Sequence, residues 1–175
     1  MNEMLEILAN DILYELGEDE RIQIDKKSYE KSKSELIEYC LANKYEYYED
    51  LGFGKSIFRF KVAEDDNIFF LKVIYTPKEN NFEFSVSLSQ ELIMGDKNLI
   101  ESYVKETHIG SEYIYQGGYI VTSVKQYIFK SPLNKEIIDY LVSLIIEKNK
   151  KAYSDTMRFA IFSLEMDSLL EDENE

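Results

Sequence analysis

The spacing of apolar residues along this chain changes from helical to alternating and back to helical. Met4, Leu5, Leu8, Ile12 and Leu16 recur at helical intervals opposite Glu3, Glu6 and Asn10, and Gly17 stands where a helix would stop. That spacing predicts a first helix over residues 2–16. A short Ile22-Gln23-Ile24 stretch follows. Asp25 then offers a cap for a second helix, ending near Ala42, in which Tyr29, Leu36, Ile37, Cys40 and Leu41 share a stripe.

From Tyr45 to Leu88 the period is two. Phe58, Phe60 and Val62 alternate with Arg59 and Lys61, and Phe82, Phe84, Val86 and Leu88 alternate with Glu83, Ser85, Ser87 and Ser89. Between them Ile68 to Tyr75 is apolar almost throughout, which predicts a central strand with neighbours nearer an edge. The connections Glu64-Asp65-Asp66-Asn67 and Pro77-Lys78-Glu79-Asn80-Asn81 are short and rich in turn formers, as in an antiparallel meander. Tyr45 to Tyr48 adds a strand before it. Asp96 then caps a short helix carrying Leu99, Ile100, Tyr103 and Val104, ended by Gly110. Tyr113-Ile114-Tyr115 and Tyr119-Ile120-Val121 flank Gln116-Gly117-Gly118 as a hairpin whose second arm runs to Phe129.

Ser131-Pro132 opens the last helix, and its apolar stripe holds Leu133, Ile137, Leu141, Leu144, Ile145 and Ala152. Extended to Glu165 it would measure ~50 Å, against a diameter near ~40 Å for a compact chain of this length. The helix therefore breaks near Ser154-Asp155-Thr156 or its end projects. Phe159, Phe162, Met166, Leu169 and Leu170 stripe the continuation, which packs near the first helix or meets a partner. The fold expected is α+β, an antiparallel sheet (meander plus Gly-turn hairpin) covered by helices. Residues 1–44 form an N-terminal helical pair, 45–158 the α+β domain and 159–175 an acidic amphipathic tail, in one globular unit.

Charge sharpens the view of the ends. Residues 1–20 carry seven acids and no base, residues 159–175 carry six acids and no base, and the stretch between is nearly balanced, for a net charge of −14. Acidic, apolar-striped ends suit a protein partner with a basic or mixed surface. The candidate partner-binding residues are Glu15, Glu18, Asp19 and Glu20 at one end and Glu165, Asp167, Glu171, Asp172 and Glu173 at the other. A lone Cys40 excludes an internal disulfide. No apolar signal region follows Met1 and no run of ~18 apolar residues occurs, so the expected address is the cytoplasm, without membrane contact.

Catalytic chemistry finds little material. One His and one Cys cannot build the usual nucleophile–base sets, and Cys40 on an apolar stripe reads as inert packing. His108 stands at a helix end, where the helix dipole favours a structural imidazolium. No zinc spacing, phosphate loop, dinucleotide fingerprint or calcium loop occurs, and Glu64-Asp65-Asp66-Asn67 reads as a solvated turn rather than a cation site. No catalytic residue, metal or cofactor is expected. Lys148-Asn149-Lys150-Lys151 and Lys26 to Lys33 are too small as basic patches to offset the net charge, which argues against direct nucleic-acid binding.

From residue 55 onward the predicted order is three antiparallel strands, a short helix, a Gly-turn hairpin and a long closing helix. With Ile109-Gly110-Ser111-Glu112-Tyr113-Ile114-Tyr115-Gln116-Gly117-Gly118-Tyr119-Ile120-Val121 and Ser131-Pro132-Leu133-Asn134-Lys135-Glu136-Ile137-Ile138-Asp139-Tyr140-Leu141-Val142, it resembles the type III secretion chaperone-like fold, including YbjN-type domains. The resemblance covers roughly residues 45–160. It implies small acidic cytoplasmic bacterial proteins without catalytic residues, often dimeric, that bind extended segments of other proteins along sheet and helix surfaces. The leading helical pair and the Phe159-to-Glu175 extension depart from the family pattern. The expected function is non-enzymatic protein binding of the chaperone, adaptor or immunity kind, with Phe82 to Leu88 or Tyr45 to Tyr48 as strand edges open to a client, and a homodimer compatible with it. The alternative expectation is an inhibitor that mimics nucleic acid and blocks a nuclease or defence complex, because spaced carboxylates can occupy an Arg-lined groove.

Overall fold

The alternating stretch folds into the strands its period predicts. The computed structural model of the protein describes residues 18–172, apart from 53–54, 65, 77–78, 93, 115–116 and 129–130. In chain order the elements are α1 (Glu18–Ala42), β1 (Tyr47–Gly52), β2 (Lys55–Glu64), β3 (Asn67–Thr76), β4 (Asn81–Leu88), α2 (Lys97–Thr107), β5 (Ser111–Ile114), β6 (Tyr119–Tyr127) and α3 (Lys135–Asp172). The strands form one antiparallel sheet in the order β1-β2-β3-β4-β6-β5.

Register sends one apolar set to one face. Phe60 pairs with Leu71 and Leu71 with Val86, so Phe58, Phe60, Val62, Phe69, Leu71, Val73, Phe82, Phe84 and Val86 all point the same way and are buried. Leu36, Tyr39 and Cys40 of α1 and Ile138, Leu141, Val142, Ile145 and Ile146 of α3 close over them. A smaller core under α2 joins Leu92, Ile100, Val104, Tyr113 and Ile120 to Ala152 and Ala160 of α3. Helix α2 is capped as expected, the Asp96 carboxylate accepting the N–H groups of Asn98 at 2.8 Å and Leu99 at 3.1 Å. At the hairpin turn Gly118 has φ +66°, and a Cβ there would meet the Leu92 carbonyl oxygen at 2.7 Å, so no other residue fits.

The sequence hid one contact between α3 and the sheet. Asn149, in the Lys148-to-Lys151 run, is fully buried. Its Oδ1 accepts the Leu88 N–H of β4 at 3.1 Å, and its Nδ2 donates to the Ile120 carbonyl at 2.8 Å and Thr122 Oγ1 at 3.1 Å, both on β6. Flanking it, Lys150 pairs with Glu64 at 3.2 Å.

Three expectations need correction. One helix, not two, precedes the sheet among the described residues, and it runs through Ile22-Gln23-Ile24, because two isoleucines without Gly or Pro cost a helix too little to end it. The predicted helix over 2–16 lies outside the described residues. Helix α3 is capped by Asn134, whose Oδ1 accepts the Ile137 N–H at 2.9 Å, rather than by Ser131; Leu133 drops into the core with its N–H donated to Ser32 Oγ at 2.9 Å. Of the two outcomes expected for α3, a break at Ser154-Asp155-Thr156 or a projecting end, the helix takes the second: Thr156 is buried and returns its hydroxyl to the Ala152 carbonyl at 2.6 Å, and the helix continues past residue 159. Phe82 to Leu88 is no edge, since β4 pairs with β3 on one side and β6 on the other.

Asn149→Ala strands the Leu88 N–H and the Ile120 carbonyl in the core and should lower unfolding free energy by about 2–4 kcal/mol in urea melts, whereas exposed Lys148→Ala should change it by under about 0.5 kcal/mol. Burial also pushes the Cys40 thiol up to about 11 and raises the Tyr39 phenol. The unfolded chain ionises first at both groups, so stability is intact below about pH 9 and falls as pH climbs toward 11. Urea midpoints should therefore drop between about pH 8 and about pH 10, one unit below and above that onset, and less steeply for Cys40→Ala.

Candidate partner-binding surfaces

A strand apolar on both sides normally has both sheet faces covered. In β3 the inward residues Phe69, Leu71 and Val73 are buried, but Ile68 and Phe70 point the other way and stand 46% and 43% exposed. Among the described residues both long helices lie on the inner face, so the outer face is open.

The register assembles that outer face row by row. Tyr48 lies beside Arg59, Arg59 beside Lys72 and Lys72 beside Ser85; in the next row Lys61 lies beside Phe70, Phe70 beside Ser87 and Ser87 beside Val121. Large side chains on β1 to β3 thus border small ones on β4 and β6. The step between them forms a groove of about 590 Å³. Tyr48 at its rim is 62% exposed, the Lys61 ammonium sits 5.5 Å from the Phe70 ring, and Ser85 donates to the Lys72 carbonyl at 3.1 Å. Arg59, Lys61 and Lys72 bring three cations to the groove against one acid, Glu46. Asp50 partly offsets Arg59, at 3.7 Å in an exposed pair. A strongly acidic chain therefore carries a local basic, aromatic surface, where an acidic and apolar ligand gains both ways.

The terminal acids are placed otherwise. Glu18, Asp19 and Glu20 lie in the first turn of α1, and Glu165, Asp167, Glu171 and Asp172 in the last turns of α3. Glu15 and Glu173 lie outside the described residues. Helix α1 meets α3 at its beginning, Ser32 against Leu133, while Glu165 stands ~45 Å beyond Lys135 at 1.5 Å per residue. The described acids are thus not gathered on one surface. Towards its end α3 is anchored by Phe159, stacked on Tyr103 at 4.1 Å, and by buried Ala160. Beyond them Ile161, Phe162, Leu164 and Met166 are exposed, Phe162 to 60%.

His108 and Cys40 line no part of the groove. His108 Nε2 lies 3.8 Å from Asp155 Oδ2 of α3, and the ring meets Tyr103 of its own helix edge-on. The buried Cys40 thiol, its pKa raised, is protonated at neutral pH. Among the described residues no group of three or more His, Cys, Asp or Glu side chains is arranged to hold a metal ion, and no helix is long and apolar enough to cross a membrane.

Sequence reading missed the groove because Arg59, Lys61 and Lys72 appear as the polar half of ordinary strands. The available signal was Phe70, a large apolar residue out of phase with Phe69 and Leu71. The chain matches no protein-family model, no curated protein and no solved structure.

Phe69 and Phe70 test which face is which. Phe69→Ala should cost about 3–5 kcal/mol in urea melts, as for a fully buried ring, and Phe70→Ala under about 1 kcal/mol.

Proposed function

We propose that the protein is a non-enzymatic cytoplasmic binding module of the chaperone, adaptor or immunity kind. It receives an acidic, apolar-striped segment of a protein partner on the outer face of its sheet. The observation that carries this is the open apolar side of β3, Ile68 and Phe70, beside Arg59, Lys61 and Lys72. Exposed apolar rings gain by burial, at roughly 25 cal/mol per Å² removed from water, while the cations select for carboxylates and speed encounter. The resemblance to YbjN-type domains agrees with this reading, since the strands, short helix, hairpin and long helix on which it rests occur in that order from β2 to α3. Partner chemistry at this face is the reverse of what the acidic ends alone imply. A nucleic-acid mimic needs its carboxylates on one face, and the described terminal acids stand apart.

A photoreactive phenylalanine analogue at Tyr48, introduced into the full chain in its native host, should crosslink to an acidic, apolar segment of a protein. The adduct should fall about tenfold when Arg59→Glu and Lys72→Glu are added, because two attractive contacts become repulsive. Adducts to nucleic acid, or protein adducts indifferent to the charge reversals, would overturn the reading.

A further inference from the structure

Resting on the reading that the outer face takes an acidic apolar segment, we infer that the end of α3 from a second copy of this chain occupies the groove, so that the protein shields its own binding face by self-association. The two features match in chemistry. After Arg158 the chain carries six acids and no base, and there Ile161, Phe162, Leu164 and Met166 are exposed on a helix with no described cover. The groove offers Arg59, Lys61 and Lys72 around exposed Tyr48 and Phe70, with Ser85 and Ser87 leaving room beside them. Phe162 and Met166 can rest on the two rings while the acids of the same turns meet the cations.

The tail cannot serve its own groove. Helix α3 is unbroken from Lys135 to Asp172 and lies on the inner face, so its end leaves the body along α2 and cannot turn round the sheet. Cover for that end from residues 1–17 is opposed by charge, since that stretch too has acids and no base. The lysine-rich stretch Lys26 to Lys33 on α1 exposes Lys26, Lys27, Glu30 and Lys31 but no large apolar residue, and so offers no seat for Phe162. The groove sets Arg59, Lys61 and Lys72 beside the exposed rings of Tyr48 and Phe70. Tail-in-groove contact uses two different patches, so it closes as a reciprocal pair or small ring, or runs on as a chain of copies.

Sedimentation velocity on the full chain should show concentration-dependent association at about 50 mM salt that weakens at least about fivefold near 0.5 M, where the Debye length shrinks from roughly 14 Å to 4 Å. Arg59→Glu with Lys72→Glu should leave monomer, as should Phe162→Ser with Met166→Ser. An equal mixture of these two variants should associate again, because one keeps the tail and the other the groove. Ser85→Cys mixed with Phe162→Cys should give a disulfide between copies. Association untouched by both sets of substitutions would overturn the inference, as would photocrosslinks from Phe70 to residues 1–17 of the same chain. If the full chain stays monomeric while a peptide of residues 158–175 binds it in a Lys72-dependent way, the inference falls and the acidic-segment reading stands. If the peptide does not bind either, the inference falls and the crosslink at Tyr48 decides the acidic-segment reading.

Discussion

One buried carboxamide sets how the longest helix sits on the sheet. Asn149 accepts from β4 and donates to β6, joining two strands that are distant in sequence to a helix that comes after both. A buried amide satisfied on both sides tolerates little sliding, because a shift of one residue would leave backbone groups of Leu88 and Ile120 unpaired at about 1–3 kcal/mol each. With that register held, Ile138, Leu141, Ile145 and Ala152 must fall on the inner face, and the remaining turns must overrun the body. The open outer face and the projecting tail follow from the same constraint. The inner face takes α1 and α3, and nothing described is left to cover the other.

Charge acts here on encounter and selection more than on stability. The ion pairs Arg59–Asp50 and Lys125–Glu79 are exposed, and such pairs contribute roughly 0–1 kcal/mol. The fold rests instead on fully buried rings, Phe69, Phe82 and Phe84, and on a stack that runs from Tyr29 through Tyr75, with Tyr29 hydrogen-bonded to Ser56. Substituting the groove's cations should therefore spare the fold, and the same freedom let a basic patch arise on a chain whose net charge is strongly negative. The sign of the whole molecule is a poor guide to one face of it, since interactions between exposed charges fade within ~8–10 Å at ordinary salt.

Helical and alternating periods are local properties, and the chain alone determined what depends on them: the strands from β2 to β4, the Asp96-capped helix, the glycine hairpin and the inward set of apolar residues. Asn134 rather than Ser131 as the cap went the other way, because Leu133 found a distant partner in Ser32; Ile22-Gln23-Ile24 stayed helical because it costs a helix too little to end it, and of the two outcomes open at Ser154-Asp155-Thr156 the helix took the uninterrupted one. Asn149 looked like part of a lysine run, although its position four residues after Ile145 and three before Ala152 puts it on the buried stripe. The candidate groove was not legible at all. Arg59, Lys61 and Lys72 become neighbours only when β2 and β3 pair in one register, and Phe70 becomes exposed only when both helices choose the opposite face. A sequence states which side chains share a side of a strand; pairing between strands and the choice of face to cover are long-range events, and tertiary structure alone decides them.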